Sequence, residues 1–194
     1  MIQIEVKQGS VVDEDVDAIV CSANNWLILG SGVAGEIKMH GGPRIQAECD
    51  QIVEKKGGSP IEIGGAIWTS AGELMSKRLH LKYVIHAVGM GYKIRNGDDL
   101  QERILATPES IFKAVTSTLE IADEMAMHTI AFPLMCARPG YSTIEAEDAP
   151  WVLLATMMRA INSFAQKGNS ISKIIICTGA LSVRPSTETS KSNL

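Results

Sequence analysis

Ile19-Val-Cys-Ser-Ala-Asn-Asn-Trp-Leu-Ile-Leu-Gly30-Ser-Gly-Val-Ala-Gly-Glu-Ile-Lys-Met-His-Gly-Gly42 joins an apolar run to a glycine-rich loop and a helical pattern. A short apolar run, Ala18-Ile-Val-Cys21, reads as a buried strand ending near Ala23. Two asparagines and an apolar loop follow, then Gly30-Ser31-Gly32, then a helical pattern from about Val33 to His40. Strand, glycine loop and helix start, in that order, make a place for a phosphate. Glycines let the backbone approach the ligand, and the first helical N–H groups have no partner within the helix.

Working outward, Ile2 to Val6 alternates apolar and polar residues as a half-buried strand does. After Gly41-Gly42, Pro43 suits the first turn of a second helix reaching Lys56, with Ile45, Cys49, Ile52 and Val53 on one face. Ala66–Thr69 and Lys82–Val88 read as strands, and Gly89–Thr107 as a polar connector long enough for part of it to cover a site. A helix is expected from Pro108 to Met127, a strand from Thr129 to Pro133, and a loop from Leu134 to Thr143. A helix from Glu145 to Lys167, with Val152, Leu153, Met157, Ala160, Ile161 and Phe164 inward, and a strand from Ser172 to Cys177 complete the pattern. Strands alternating with helices give an α/β domain whose sheet is largely parallel and covered on both faces. In such sheets ligands bind beyond the carboxyl ends of the strands, where the loops Asn24–Gly32 and Leu134–Thr143 fall. One domain over residues 1–180 is expected, with a Ser/Thr-rich, flexible tail over 181–194.

The composition narrows the function classes. A net charge of −4 on 194 residues does not call for a nucleic-acid surface. No apolar run approaches the ~20 residues of a membrane span, and Met1–Lys7 lacks the apolar core of a signal peptide, so a cytoplasmic location is expected. Cys21, Cys49, Cys136 and Cys177 are scattered without a C-x-x-C pair, so reduced thiols are expected rather than a metal site, and no cofactor is called for.

Gly30-Ser-Gly32-Val-Ala-Gly35 fits the dinucleotide fingerprint G-x-G-x-x-G by spacing alone. Its context differs, because six residues separate the strand from the first glycine and a helix stands where the fingerprint wants a second strand ending in an acid. The motifs instead resemble the macro domain family. Asp17-Ala-Ile-Val-Cys-Ser-Ala-Asn24 followed by Gly30-Ser-Gly-Val33 is similar to its VDAIVNAAN and GGGV signatures. Lys82-Tyr-Val-Ile-His86 and Ile130-Ala-Phe-Pro133 follow in the family's order, and the resemblance covers about residues 1 to 177.

That resemblance implies a three-layer α/β/α sandwich around a mixed, largely parallel sheet. It implies a cleft for ADP-ribose, whether free, protein-linked or O-acetylated, and ADP-ribosylated proteins as partners. Carried over residue by residue, it places Asn24 on the distal ribose. Gly30, Gly32, Val33 and Ala34 would stand at the first phosphate loop, and Ala137, Arg138, Pro139, Gly140 and Tyr141 at the second. Ser10 and Val11 would stand at the adenine. The residues themselves leave alternatives open: Asn24 as a turn former, Arg138 as a solvated cation, Tyr141 as a loop-closing ring, Trp26 as a stacking group or a lid. His86, in an interior strand, reads as structural. The family's first asparagine is Cys21 here, a poor substitute for an amide in ribose recognition. Where its hydrolytic branch carries an aspartate, this chain has Ala34, whose methyl group cannot activate a water. Glu36 should point away from that direction and favour the helix start. Ser10 replaces an adenine-reading aspartate. Binding is therefore the leading expectation. Removal of ADP-ribose from proteins, or hydrolysis of O-acetyl-ADP-ribose or ADP-ribose-1″-phosphate, is the alternative.

Overall fold

The computed structural model describes residues 2–180, so the expected tail over 181–194 lies outside the described residues. In chain order come β1 (Gln3–Lys7), a 3-10 turn (Val11–Asp13), β2 (Ala18–Asn24), α1 (Gly32–Gly41), α2 (Pro43–Lys55) and β3 (Ala66–Ser70). A second 3-10 turn (Gly72–Ser76), β4 (Tyr83–Asn96), β5 (Asp99–Ile104), α3 (Pro108–Glu124), β6 (Thr129–Pro133), α4 (Ala149–Ala165) and β7 (Lys173–Cys177) follow. The sheet order is β1-β7-β6-β2-β4-β3, parallel from β1 to β4 and closed by an antiparallel β3. This is the mixed, largely parallel sheet that the motifs imply.

Alternation along β2 sorts its side chains between two cores. Ala18 and Val20 join Ile111, Val115, Leu119, Leu153 and Met157 of α3 and α4. Ile19, Cys21 and Ala23 join Ile37, Ile45, Cys49 and Val53 of α1 and α2. Helices therefore cover both faces, and the three layers are α, β and α. Asp17 fixes the start of β2 against β6. Its Oδ2 accepts from the backbone N–H groups of His128 and Thr129, each at 2.8 Å, and from the Thr129 hydroxyl at 3.0 Å. Burial raises the Asp17 carboxyl, but these donors outweigh it and leave its pKa lowered.

Helix starts follow local chemistry. Thr107 and Ser110 form a reciprocal capping box on α3. Pro43 opens α2 immediately after Gly42, whose φ of +74° turns the chain out of α1. Two expectations are revised. Helix α4 begins at Ala149 rather than Glu145, because the Glu145 carbonyl accepts from Asp148 and Ala149 in a separate turn. Val152 faces outward, since the stripe Leu153, Thr156, Met157, Ala160, Ile161 and Phe164 already fills the 3.6-residue repeat.

The larger revision is the connector Gly89–Thr107, which forms a hairpin. Strand β4 runs on to Asn96, turns at Gly97-Asp98 and returns as β5. Gly97 has a φ of +62° and occupies the first of two central positions, as a type II′ turn requires. Lys93, Ile94, Gln101, Glu102 and Arg103 are exposed and only Tyr92, Arg95, Leu100 and Ile104 are half-buried, so the hydrophobic alternation that marks a strand is weak here.

Candidate functional site

A cleft of about 250 Å³ opens beyond the carboxyl ends of β2, β4 and β6, where a parallel sheet presents its loops. Its first wall is the segment between β2 and α1. Asn24 organises this loop from within: its Oδ1 accepts from the Trp26 and Ile28 amides at 3.0 and 3.4 Å, and its Nδ2 donates to the Ile28 carbonyl at 2.8 Å. Gln46 of α2 holds the loop from behind. It accepts from the Leu29 amide and donates to the Leu27 carbonyl. Gly32 needs its missing side chain twice, since its φ is +61° and a Cβ there would meet the Arg138 guanidinium at 3.3 Å. A Cβ on Gly35 would sit 2.9 Å from the Gly30 carbonyl, so the spacing that mimics a dinucleotide fingerprint serves to fold the loop onto its own helix. As the first residues of α1, Gly32, Val33 and Ala34 present N–H groups with no carbonyl one turn earlier in the helix.

The second wall follows β6. Arg138-Pro139-Gly140-Tyr141 is a turn closed by the Tyr141 amide on the Arg138 carbonyl at 3.2 Å. Proline second and a glycine of φ +77° third suit a type II turn. Cys136 and Ala137 are buried, and Arg138 extends across to Gly32 with no hydrogen bond or ion pair to any described residue. The hairpin joins the walls. Asn25 exchanges side-chain bonds with the Tyr92 backbone at 3.1 and 2.9 Å, and Trp26 Nε1 donates to the Tyr92 carbonyl at 3.0 Å. Arg103 of β5 donates to the Gly140 carbonyl at 2.8 Å and lies over the Tyr141 ring, 4.7 Å from its centre.

Of the residues singled out in the sequence, Asn24, Gly30, Gly32, Val33, Ala34, Ala137, Arg138 and Tyr141 line this one cleft. Pro139 and Gly140 do not line it; they shape the turn that does. Ser10 and Val11 lie outside it: the Ser10 hydroxyl donates to Glu36, and Val11 is in the core. Glu36 thus points away from Ala34, as its helical position requires. Trp26 packs against the hairpin rather than standing free. Cys21 is wholly buried on the α1/α2 face of β2, where burial pushes its thiol far up. The amide-to-thiol exchange there concerns packing and leaves the cleft lining unchanged.

His86 is also fully buried. It sits 2.9 Å from the Thr69 hydroxyl, and burial lowers its pKa to about 4, which makes it a neutral structural group.

Further cleft residues escaped the sequence reading, Leu100 of β5 among them. Ser22 shares the Asn24 side of β2, a parity that was available. Met90 and Tyr92 reach the cleft because the register shifts between Val88 and Met90 at the bulge beside Gly89. Asp98 arrives on the hairpin turn, which no periodicity announced. Cys136 lies 3.6 Å from the Ser22 hydroxyl, and burial pushes its thiol up to about 11, so it is a neutral lining group at neutral pH. No cluster of His, Cys, Asp or Glu suited to a metal occurs among the described residues. No helix among them is long and apolar enough to cross a membrane.

Comparison with known proteins assigns the class. The macro domain family model matches residues 20–149, and the chain belongs to the macro domain family. A macro domain-containing protein of Caldanaerobacter subterraneus is 44% identical over 68% of this chain and 66% of its own length. An uncharacterized protein of Thermotoga maritima is 40% identical over 68% of this chain but only 19% of its own, so the match spans a small part of that relative. Among solved structures, a mutant macrodomain of Oceanobacillus iheyensis with ADPR superposes at a TM-score of 0.67, with 24% identity over 89% of this chain and 84% of that one. A Trypanosoma brucei macrodomain in complex with ADP-ribose gives 0.63, with 22% identity over 90% and 63%. Both likenesses are of fold.

Proposed function

We propose that this chain is a binding module for ADP-ribose or a derivative of it, free, O-acetylated or attached to protein, with ADP-ribosylated proteins as partners. One observation carries the reading. The unpaired N–H groups at the start of α1 and the Arg138 guanidinium meet across the cleft, with Gly32 leaving the backbone open between them. Backbone donors and one cation suit a pyrophosphate, which needs many donors at close range. The family, and the fold shared with macrodomains solved with ADPR and ADP-ribose, support the same ligand. Gly30, Val33, Ala34, Ala137 and Tyr141 complete the proposed contact set, and Asn24 keeps one amide N–H beyond its loop bonds for a ligand hydroxyl.

Binding is favoured over hydrolysis because position 34 presents a methyl group to the cleft. Calorimetry tests the proposal: ADP-ribose binds in the micromolar range or tighter, with NAD and AMP weaker. Absence of heat at millimolar ADP-ribose overturns it. Rapid release of ADP-ribose from a mono-ADP-ribosylated protein would overturn the non-catalytic part alone.

A further inference from the structure

We infer that Asp98 makes the cleft discriminate between a ligand that ends in an uncharged, hydroxyl-bearing sugar and the same ligand carrying a further phosphate at that end, in favour of the former. The inference rests on the binding reading above and names the chemistry of one end of its ligand.

Among the described residues, two charged side chains line the cleft, Arg138 on the second wall and Asp98 on the hairpin. Arg138 lies over Gly32 at the start of α1, which marks the place of an anion. Asp98 stands at the turn of the β4–β5 hairpin. Its carboxylate makes no hydrogen bond or ion pair with any described residue, whereas its neighbour Asp99 is engaged by Gln101 at 2.6 Å. The turn does not need an acid there. Gly97 meets its conformational requirement, and Asp98 keeps a negative φ.

The hairpin that carries Asp98 is fastened to both walls. Tyr92 is bonded to Asn25 and Trp26 on the first wall, and Arg95 lies over the Trp26 ring, 5.8 Å from its centre. Arg103 ties the returning strand to Gly140 on the second wall. Besides Asp98, the cleft is lined by the Ser22 hydroxyl and by the Asn24 amide, which keeps one N–H beyond its loop bonds. Ser22 has the weak Cys136 sulfur as its partner among the described residues. Donors and acceptors from separate elements in one cleft suit a polyol, whose hydroxyls both donate and accept. A carboxylate accepts only, so it rewards hydroxyl donors and repels a phosphate.

The test compares ADP-ribose with ADP-ribose-1″-phosphate by calorimetry on the full chain, on Asp98→Asn and on Asp99→Asn. Wild type prefers ADP-ribose by about fivefold or more, the size expected for two like charges near a protein surface. Asp98→Asn, which keeps the shape and removes the charge, brings the ratio to within about twofold. Asp99→Asn, an equal loss of charge outside the lining, leaves the wild-type ratio. Equal ratios in wild type and Asp98→Asn, with ADP-ribose still binding, overturn the role of Asp98 and leave the binding proposal standing. A change of the same size in Asp99→Asn reduces the effect to net charge and also overturns it. Failure of wild type to bind either ligand overturns the binding proposal itself.

Discussion

The two walls of the cleft are held by different physics. The first, Asn24 to Gly32, is tied by short-range bonds: the Asn24 amide saturates its own loop, Gln46 clamps it from α2, and Leu27 and Leu29 are buried beneath. The second, Leu134 to Tyr141, turns at Pro139-Gly140 and is held from outside: Leu134 donates to the Cys177 carbonyl, the Ala106 amide to the Tyr141 carbonyl, and Arg103 to the turn, with Arg138, Pro139 and Gly140 exposed. A wall whose backbone groups are satisfied internally presents its N–H donors in fixed positions, which reduces the ordering cost of binding. The second wall draws its support from other elements, with Ala106 and Cys177 bonding its two ends and Arg103 its turn, and it carries the unpartnered Arg138 charge. One side of the cleft is therefore a cradle bonded largely within itself and the other a clamp held from its neighbours.

The largest effect should come from breaking the cradle at Gly32. Gly32→Val forces a branched residue to a φ of +61° against Arg138, and ADP-ribose affinity should fall about 100-fold or more by calorimetry. Asn24→Ala comes next. It removes three loop hydrogen bonds and should lower unfolding stability by about 2 kcal/mol in a urea titration, with weaker binding alongside. On the clamp side, Arg103→Ala should cost about tenfold in affinity, expressed in the dissociation rate, with little change in melting temperature. Arg103→Lys should recover part of the loss, since an ammonium keeps the charge over the ring but loses the planar fork. If Arg103→Ala costs more stability than Asn24→Ala, the assignment of cradle and clamp is reversed. The smallest change is Arg138→Gln, for which a loss of about fivefold is expected, together with a flatter dependence of affinity on salt between low and physiological ionic strength. An unchanged salt dependence would place Arg138 outside the anion's reach.

Most of the frame was legible because its causes are local. Ala18–Cys21 and Thr129–Pro133 are apolar runs short enough only for buried strands, and Pro43, Gly42 and the Thr107 cap mark helix ends by their own backbone preferences. Eight of the twelve residues proposed for the site line the observed cleft. Their positions follow from loop chemistry read together with the family resemblance. The hairpin was missed because its apolar alternation is short, Tyr92 and Ile94 on one strand and Leu100 and Ile104 on the other, among charged residues; the pair Asn96-Gly97 was the turn signal available. The misplacement of Cys21 had a simpler cause. Residues 22 and 24 of β2 share one face and 21 the other, and a motif aligned by letters ignores that parity.

The α/β layering, the glycine loop before α1 and the family could all be read from contiguous chain, because periodicity, turn residues and motif order are local properties. Which charges share the cleft depends on the folded chain. Arg138 meets Gly32 from more than a hundred positions away, and Asp98 enters on a hairpin fastened to both walls by Tyr92, Trp26 and Arg103. Side chains brought together by sheet order, a bulge and a long-range clamp leave no trace in the local pattern of any one of them.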